Sequence, residues 1–416
     1  MSAVLSINGG WHTPVPDGHP AAALLSARAV RSQCAQIMAN AERGTASFFT
    51  WHPEQLEEVA GYVSETIRRR YSDLTVPYHS RWRHCEAGGV DRWKELAARA
   101  GLRGSERART RIDLVIPSVL MDAGAGPAWG YFDRTGNVRL TRSEGLAVAS
   151  IALFESGTLS ADSGQPLRTD ASALASLSGQ TVAAAFQVHD GNPLVGLNGR
   201  VEMLRRLGEV AGATPAVFGP DGRLGNLFDY LADHACAGEI DASFILETLL
   251  YALGPVWPGR IVLDGVSLGD CWRHPQVKGG LLPFHKLTQW LTYSLLEPLE
   301  EAGYRVTGLD QLTGLPEYRN GGLLLDLGLV QPRDAAFFTS SLTVDHPAVI
   351  EWRALTVIAL DRVADAVRAH LAVSAEAFPL ARVLEGGTWA AGRRIAAERR
   401  PGGVPPVSIV SDGTVF

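Results

Sequence analysis

Cysteine is scarce in this chain. Four occur in 416 residues, at Cys34, Cys85, Cys236 and Cys271, and no two stand in a CxxC pair. That spacing excludes a short disulfide-stapled framework and argues against a thiolate metal site. Long apolar runs are missing too. No stretch reaches the ~18 apolar residues that a membrane span needs, so no membrane partner is expected. Met1-Ser2-Ala3-Val4-Leu5 offers no basic region leading into a long apolar core, so no signal peptide is expected and a reducing cytoplasm is the simplest location. Positive charge is in deficit: 38 Lys and Arg stand against 44 Asp and Glu, a net charge of −6. Duplex nucleic acid is therefore an unsuitable partner, since phosphate binding needs a basic face. A small anionic substrate remains compatible, because a few local cations suffice for it.

Several catalytic signatures are also missing. No Gly-x-Ser-x-Gly elbow anchors a serine hydrolase. The segment Asp122-Ala123-Gly124-Ala125-Gly126 resembles a phosphate loop but lacks the Gly-Lys-Ser/Thr ending. It reads better as tight backbone lining a pocket beside Trp129, whose ring either stacks on a planar group or fills core space. His79, His84 and Cys85, and likewise Cys271 and His274, show no recognised ligand spacing. No metal and no cofactor is expected.

What is present is a mainly helical pattern. Apolar residues make up 46% of the chain, enough for a substantial core. Helical periodicity appears at 21–41 and 53–70, where Leu56, Val59, Val63 and Ile67 form a stripe ending in Arg68-Arg69-Arg70. It resumes at 143–157, 171–188, 199–212, 241–253, 284–302 and 345–373. Residues 111–117 alternate weakly, as a short strand or a buried helix start would. Residues 130–140 read as a hairpin around a Gly-Asn turn. Residues 1–20 form an irregular lead-in, and 386–416 a tail with a short helix, a Pro-rich link and a terminal hairpin around Asp412-Gly413, packing on the core. Without repeats or a low-complexity linker, one integrated helical domain over 1–416 is expected, with small β-hairpins and a catalytic core segment at 200–330.

Chemistry concentrates in two clusters within residues 282–325. The first is His285-Lys286-Leu287-Thr288-Gln289, at the start of an amphipathic helix. Leu287, Trp290, Leu291, Ser294 and Pro298 share one side at ~100° per residue, and His285, Lys286, Gln289, Thr292 and Tyr293 share another. An imidazole, an ammonium, an amide, a hydroxyl and a phenol suit a polar small molecule; a merely solvated face is the alternative. The second cluster is Pro316-Glu317-Tyr318-Arg319-Asn320-Gly321-Gly322. Pro316 suits the first helical position, which puts Glu317 in the first turn, where the helix dipole favours an ionised carboxylate. The two glycines imply a short helix or a close approach to the backbone. An anionic-sugar site fits; an ordinary capping or surface pair of Glu317 with Arg319 is the alternative. Asp270, Trp272 and Arg273 precede the first cluster as a loop near its start, and Trp51-His52-Pro53 marks a helix start that puts an aromatic at a pocket rim or serves as a hydrophobic staple.

The segments PFHKLTQWLTYSLLEPLE, LTGLPEYRNGGLLLDLGL and EGGTWAAGRRIA with SIVSDGTVF resemble the uracil catabolism protein four family, over nearly the whole chain. A more distant similarity reaches the queuosine nucleotide salvage N-glycosidases. Lys286 and Gln289 match a Tyr-Lys-Arg-Ala-Gln segment of theirs, and Glu317, Tyr318 and Arg319 match Ala-Asp-Tyr-Arg. Residues 200–211 followed by Phe218-Gly219 fit as well. Here Glu317 replaces Asp, and Asn320-Gly321-Gly322 replaces a Val-Pro-Gln type sequence, so the base recognised need not carry over. The similarity implies a fold like the helix-hairpin-helix DNA glycosylase superfamily and cleavage of an N-glycosidic bond. The family's pathway opens the uracil ring of the nucleotide, which leaves urea on ribose phosphate. The implied reaction is hydrolysis of that ribosylurea. In this reading Glu317 stabilises charge at the anomeric carbon and activates water, His285 or Lys286 supplies the leaving-group proton, and Lys286 and Arg319 hold phosphate. Gln289, Tyr318, Arg319, Asn320, Trp129, Asp122, Asp270 and Trp51 bind the small ribosylated substrate. An amidohydrolase acting on a ureido acid, or a non-catalytic nucleotide-binding partner of the pathway's enzymes, are the rival readings. Oligomeric state is left open.

Overall fold

The structure, a computed structural model, describes residues 18–257 and 261–410. It is mainly helical, and its strands form only two-stranded pairs among the described residues. The chain divides into two compact units, each assembled from separated stretches. One contains Pro20–His79, Asp270–Gln289 and the chain from Gly308; the other contains Ser80–Gly269 and Trp290–Thr307. No helix among the described residues is long and apolar enough to cross a membrane.

The first unit is built around the helix Pro347–Leu371. Pro347 occupies its first position and the His346 ring accepts from the Ala348 amide, so two local features start the helix at the predicted place. Every residue from Ala348 to Leu360 is buried. The helices Ala27–Glu42, Leu56–Arg70 and Tyr318–Asp326 pack against it, and Trp389–Arg399 packs against Tyr318–Asp326. In Leu56–Arg70 the predicted stripe is the packed face: Val59, Val63 and Ile67 have no exposed surface. The strand Phe49–Trp51 pairs antiparallel with Val330–Pro332. Its approach is fixed by Glu351, whose buried carboxylate accepts from the amides of Ser47, Phe48 and Phe49 at 3.1, 2.8 and 2.9 Å. The hairpin Cys271–Arg273 with Leu281–Pro283 leads into the helix Lys286–Glu301.

In the second unit the hairpin Tyr131–Asp133 with Val138–Leu140 forms where predicted, with Asn137 at a φ of 48° in its turn. Residues 111–117 are neither a strand nor a helix start. They are the interior of the helix Gly104–Leu120, buried without interruption from Thr110. A helix buried all round, with Arg111 and Asp113 enclosed among its apolar residues, loses the 3.6-residue contrast that identifies it. The stretch 171–188 holds two helices, because Ser178 accepts from the Thr181 amide and caps a second one, Gly179–Ala185, after Ala171–Ala175. In the tail, Ser408–Val410 pairs in parallel with Ser341–Thr343. The hairpin predicted around Asp412-Gly413, like most of the 1–20 lead-in, lies outside the described residues.

Candidate active site

The helix Lys286–Glu301 follows closely on the hairpin. His285, just before it, has a φ of 50°, a left-handed conformation that side chains other than glycine seldom adopt. Asp270, just ahead of the hairpin, meets the first amide of the helix. Asp270 Oδ2 accepts from the Lys286 amide at 3.0 Å, and the Asp270 carbonyl accepts from the Phe284 amide at 2.8 Å. Arg353 of the Pro347 helix clamps the same carboxylate with two hydrogen bonds of 2.8 Å. The guanidinium lies over the Phe284 ring at 4.0 Å, and Arg353 Nε donates to the Pro316 carbonyl at 3.3 Å. One arginine thus ties the start of the Lys286 helix to the residue before Glu317. Burial opposes ionisation of Asp270. The Arg353 charge, the Trp272 indole N–H and the Lys286 amide outweigh it and hold the carboxyl well below the usual carboxylate range.

Glu317 is the N-cap of the helix Tyr318–Asp326, with extended φ and ψ of −112° and 167°. Pro316 therefore precedes the cap rather than opening the helix. Glu317 Oε2 accepts from the Arg319 amide at 2.7 Å and Oε1 from the Asn320 amide at 2.6 Å. Each oxygen keeps lone-pair capacity for a further donor. Glu317 is half-buried by surface yet densely surrounded by protein. Burial is the dominant influence and pushes its carboxyl up, against the two amides and the charges of Lys286 and His79. The helix dipole alone pointed the other way; desolvation wins because the carboxylate is enclosed. The glycines that follow serve packing. A Cβ on Gly321 would meet the Trp352 ring at 2.6 Å, and one on Gly322 would meet Pro406 at 3.0 Å.

His79 is the imidazole whose charge reaches Glu317. It follows the helix Leu56–Arg70 and is 4% exposed. Its amide donates to the Ala381 carbonyl at 2.9 Å, and its Nδ1 bonds Glu385 Oε2 at 2.8 Å. Glu385 lies in a π-helical turn, Val383–Thr388, that runs into the helix Trp389–Arg399. Its other oxygen is 3.5 Å from the Arg70 guanidinium, which also donates to the Glu385 carbonyl at 2.8 Å. The Trp389 ring lies 5.8 Å from the His79 ring, with the Arg393 guanidinium 4.9 Å over Trp389. The sequence placed Glu385 and Trp389 in a family motif but gave neither a role. In sequence His79 reads only as a candidate metal ligand. The π-turn is not visible in periodicity, and His79 and Glu385 are 306 residues apart.

The remaining predicted residues take varied places. His285 is 2% exposed and its Nε2 donates to the Leu24 carbonyl at 2.8 Å. Burial lowers its pKa and keeps it neutral. The buried Gln289 amide donates to the Phe284 carbonyl at 3.0 Å and to Thr313 Oγ1 at 2.7 Å, and accepts from the Thr313 amide at 2.9 Å. It braces the loop that leads to Glu317. From Leu287 to Leu296 the helix is buried on both faces, so its polar side is not a solvated one. Asn320 Nδ2 donates to the Leu315 carbonyl at 3.0 Å, and its buried oxygen has no protein partner among the described residues. Arg319 packs over the Tyr318 ring at 5.2 Å and donates to the Gly403 carbonyl at 2.9 Å. Trp51 is half-buried, with the Arg362 guanidinium 5.1 Å over its ring.

Asp122 and Trp129 belong to the other unit. There Asp122 pairs with Arg81 at 2.9 Å. Trp129 is 1% exposed and donates to the Phe186 carbonyl at 3.0 Å. Arg200 gathers the carbonyls of Met121, Ala123 and Gly124 at 2.9, 2.7 and 3.2 Å, which accounts for the tight backbone there. No three His, Cys, Asp or Glu side chains among the described residues gather as a metal site would.

Comparison with known proteins gives consistent matches along the chain. A family model described as Protein of unknown function (DUF1688) matches residues 23–416. Protein urg3 of Schizosaccharomyces pombe is 38% identical over 403 residues, covering 95% of this chain and 98% of that protein. Uracil catabolism protein 4 of Lachancea kluyveri is 36% identical over 438 residues, covering 96% of this chain and 99% of that protein.

Proposed function

This chain belongs to the family described as Protein of unknown function (DUF1688) and is a relative of Uracil catabolism protein 4; on that premise we propose that it acts in uracil catabolism as an N-glycosidase. Its substrate is ribosylurea, as the 5′-phosphate, and its products are urea and ribose phosphate. The observation that carries this reading is the Glu317 carboxylate: fixed by two backbone amides, densely surrounded, and under the charge of Lys286 and His79.

Departure of a ureido nitrogen from C1′ leaves positive charge on the ribose ring. A carboxylate held at a fixed place stabilises that charge without having to reorganise, and the same group can take a proton from the attacking water. Glu317 has lone pairs left for that water after its two amide bonds. Lys286 suits the phosphate, as a cation beside an anion, and its backbone is pinned by Asp270. The Asn320 oxygen, an acceptor with no protein partner among the described residues, suits a ribose hydroxyl.

Purified protein given ribosylurea 5′-phosphate tests the reading. Release of free urea with ribose phosphate is the expected result. Release of ammonia would mean an amidohydrolase, and no turnover would mean a binding protein; either result overturns it.

A further inference from the structure

We propose that His79 is the general acid of this site, protonating the departing nitrogen, with Glu385 as its positioning residue; this rests on the N-glycosidase reading above. Three geometric observations converge on it. First, Glu385 and His79 form a buried pair at 2.8 Å, in which the carboxylate accepts from Nδ1–H. That bond fixes the tautomer and leaves Nε2 as the nitrogen that carries a transferable proton. Second, Glu385 is presented by a π-helical turn, Val383–Thr388. Such turns are uncommon and concentrate at functional sites. Third, the helix that continues from this turn is pressed onto the Glu317 cap. The place where Gly392 would carry a Cβ is only 2.2 Å from the Arg319 carbonyl. One turn earlier on that helix, Trp389 lies against the His79 ring. This one helix thus touches both the His79 ring and the helix that Glu317 caps, and the imidazole lies within electrostatic reach of that carboxylate.

The other histidine near the cluster is less suited. Burial lowers the pKa of His285, which disfavours the protonated ring that a general acid needs. Lys286 serves better as a lasting cation beside the phosphate.

The step balances with water as the only co-reactant. The C1′–N bond breaks and its electron pair goes to the leaving nitrogen. The imidazolium of His79 gives that nitrogen a proton, so neutral urea departs. Water adds its oxygen to C1′ while Glu317 takes one of its protons. Transfer of that proton to His79 through solvent restores the starting state.

The test compares two leaving groups. Urea needs a proton to depart; 4-nitrophenolate does not. His79→Asn keeps a donor to Glu385 and removes Nε2. It is expected to lower kcat on ribosylurea 5′-phosphate by about 100-fold or more, the scale of one general acid, while turnover of 4-nitrophenyl riboside 5′-phosphate changes little. Glu385→Gln is expected to give a smaller loss with the same selectivity, whereas Glu317→Gln slows both substrates. Equal losses on the two substrates in His79→Asn, or no loss on either, would overturn the assignment of His79 and leave the N-glycosidase reading standing. The latter depends on urea release by the unaltered protein, and if that protein releases none, both fall.

Discussion

The Glu317 carboxylate caps a helix, and in the proposed mechanism it also presents charge. Glu317→Gln separates the two roles. A glutamine keeps one acceptor but turns an N–H toward the second amide, so stability should fall by about 0.5–2 kcal/mol, the range for a lost N-cap. Turnover should fall by on the order of 100-fold, the scale of losing one charge-stabilising group. Thermal unfolding and single-turnover kinetics on the same sample read the two effects. A folded variant with normal turnover would remove Glu317 from the mechanism. His285 gives the opposite pattern. Asparagine tolerates a positive φ, so His285→Asn should lose about 1–3 kcal/mol through the unpaired Leu24 carbonyl and keep kcat near that of the parent. A kcat collapse in a stable variant would return His285 to the chemistry. Glu317 and Lys286 stand out in the sequence as candidates because each sits in a short motif with its neighbours. His79 does not, because its partner is brought to it only by folding.

At the scale of elements, the Lys286 helix is capped by a residue 16 positions upstream, which is in turn clamped by one 83 positions beyond that. Local capping rules look three or four residues away, so Asp270 reads in sequence as a loop residue and a substrate ligand, not as a cap. Arg353→Met leaves the enclosed Asp270 carboxylate without its cation and should cost about 3–5 kcal/mol. Adding Asp270→Asn removes the stranded charge and should recover part of that loss. Denaturant unfolding of the two variants checks this, and a double variant no more stable than the single one would mean that the clamp acts by packing alone. The long helices with one apolar stripe, such as Leu56–Arg70, were legible because solvent on one face preserves the period. The stretch 110–120 of the helix Gly104–Leu120 was not, because it is enclosed on every side and shows no exposed face to mark the period.

For the whole molecule, pH and metal dependence follow from these groups. The folded carboxyl of Asp270 lies below its unfolded value of about 3.9. The stability it contributes is fully present above that value and is lost as pH falls below it. Asp113, pushed up to about 6 by burial against Arg223 and its hydrogen bonds, works in the opposite direction: its contribution declines as pH rises from about 4 to 6. The Arg353→Met, Asp270→Asn double variant should therefore show a shallower loss of Tm below pH ~4 than the parent; identical acid limbs would place the acid-sensitive groups elsewhere. Hydrolysis of ribosylurea should persist after exhaustive chelation, since the proposed steps use only carboxylate, imidazole and ammonium. Loss of activity restored by a stoichiometric metal would overturn that mechanism. The order in which the chain leaves the ribosome adds a further consequence. The helices Ala27–Glu42 and Leu56–Arg70 are synthesised long before the helix that covers their apolar faces, Pro347–Leu371. At about 5–20 residues per second, the roughly 190 residues between His79 and Asp270 alone delay it by on the order of 10–40 s. Throughout that interval Val59, Val63 and Ile67 belong to a nascent segment whose partner does not yet exist, so chaperone capture should fall on the first 80 residues, and slowing translation should lower the yield of native protein rather than raise it.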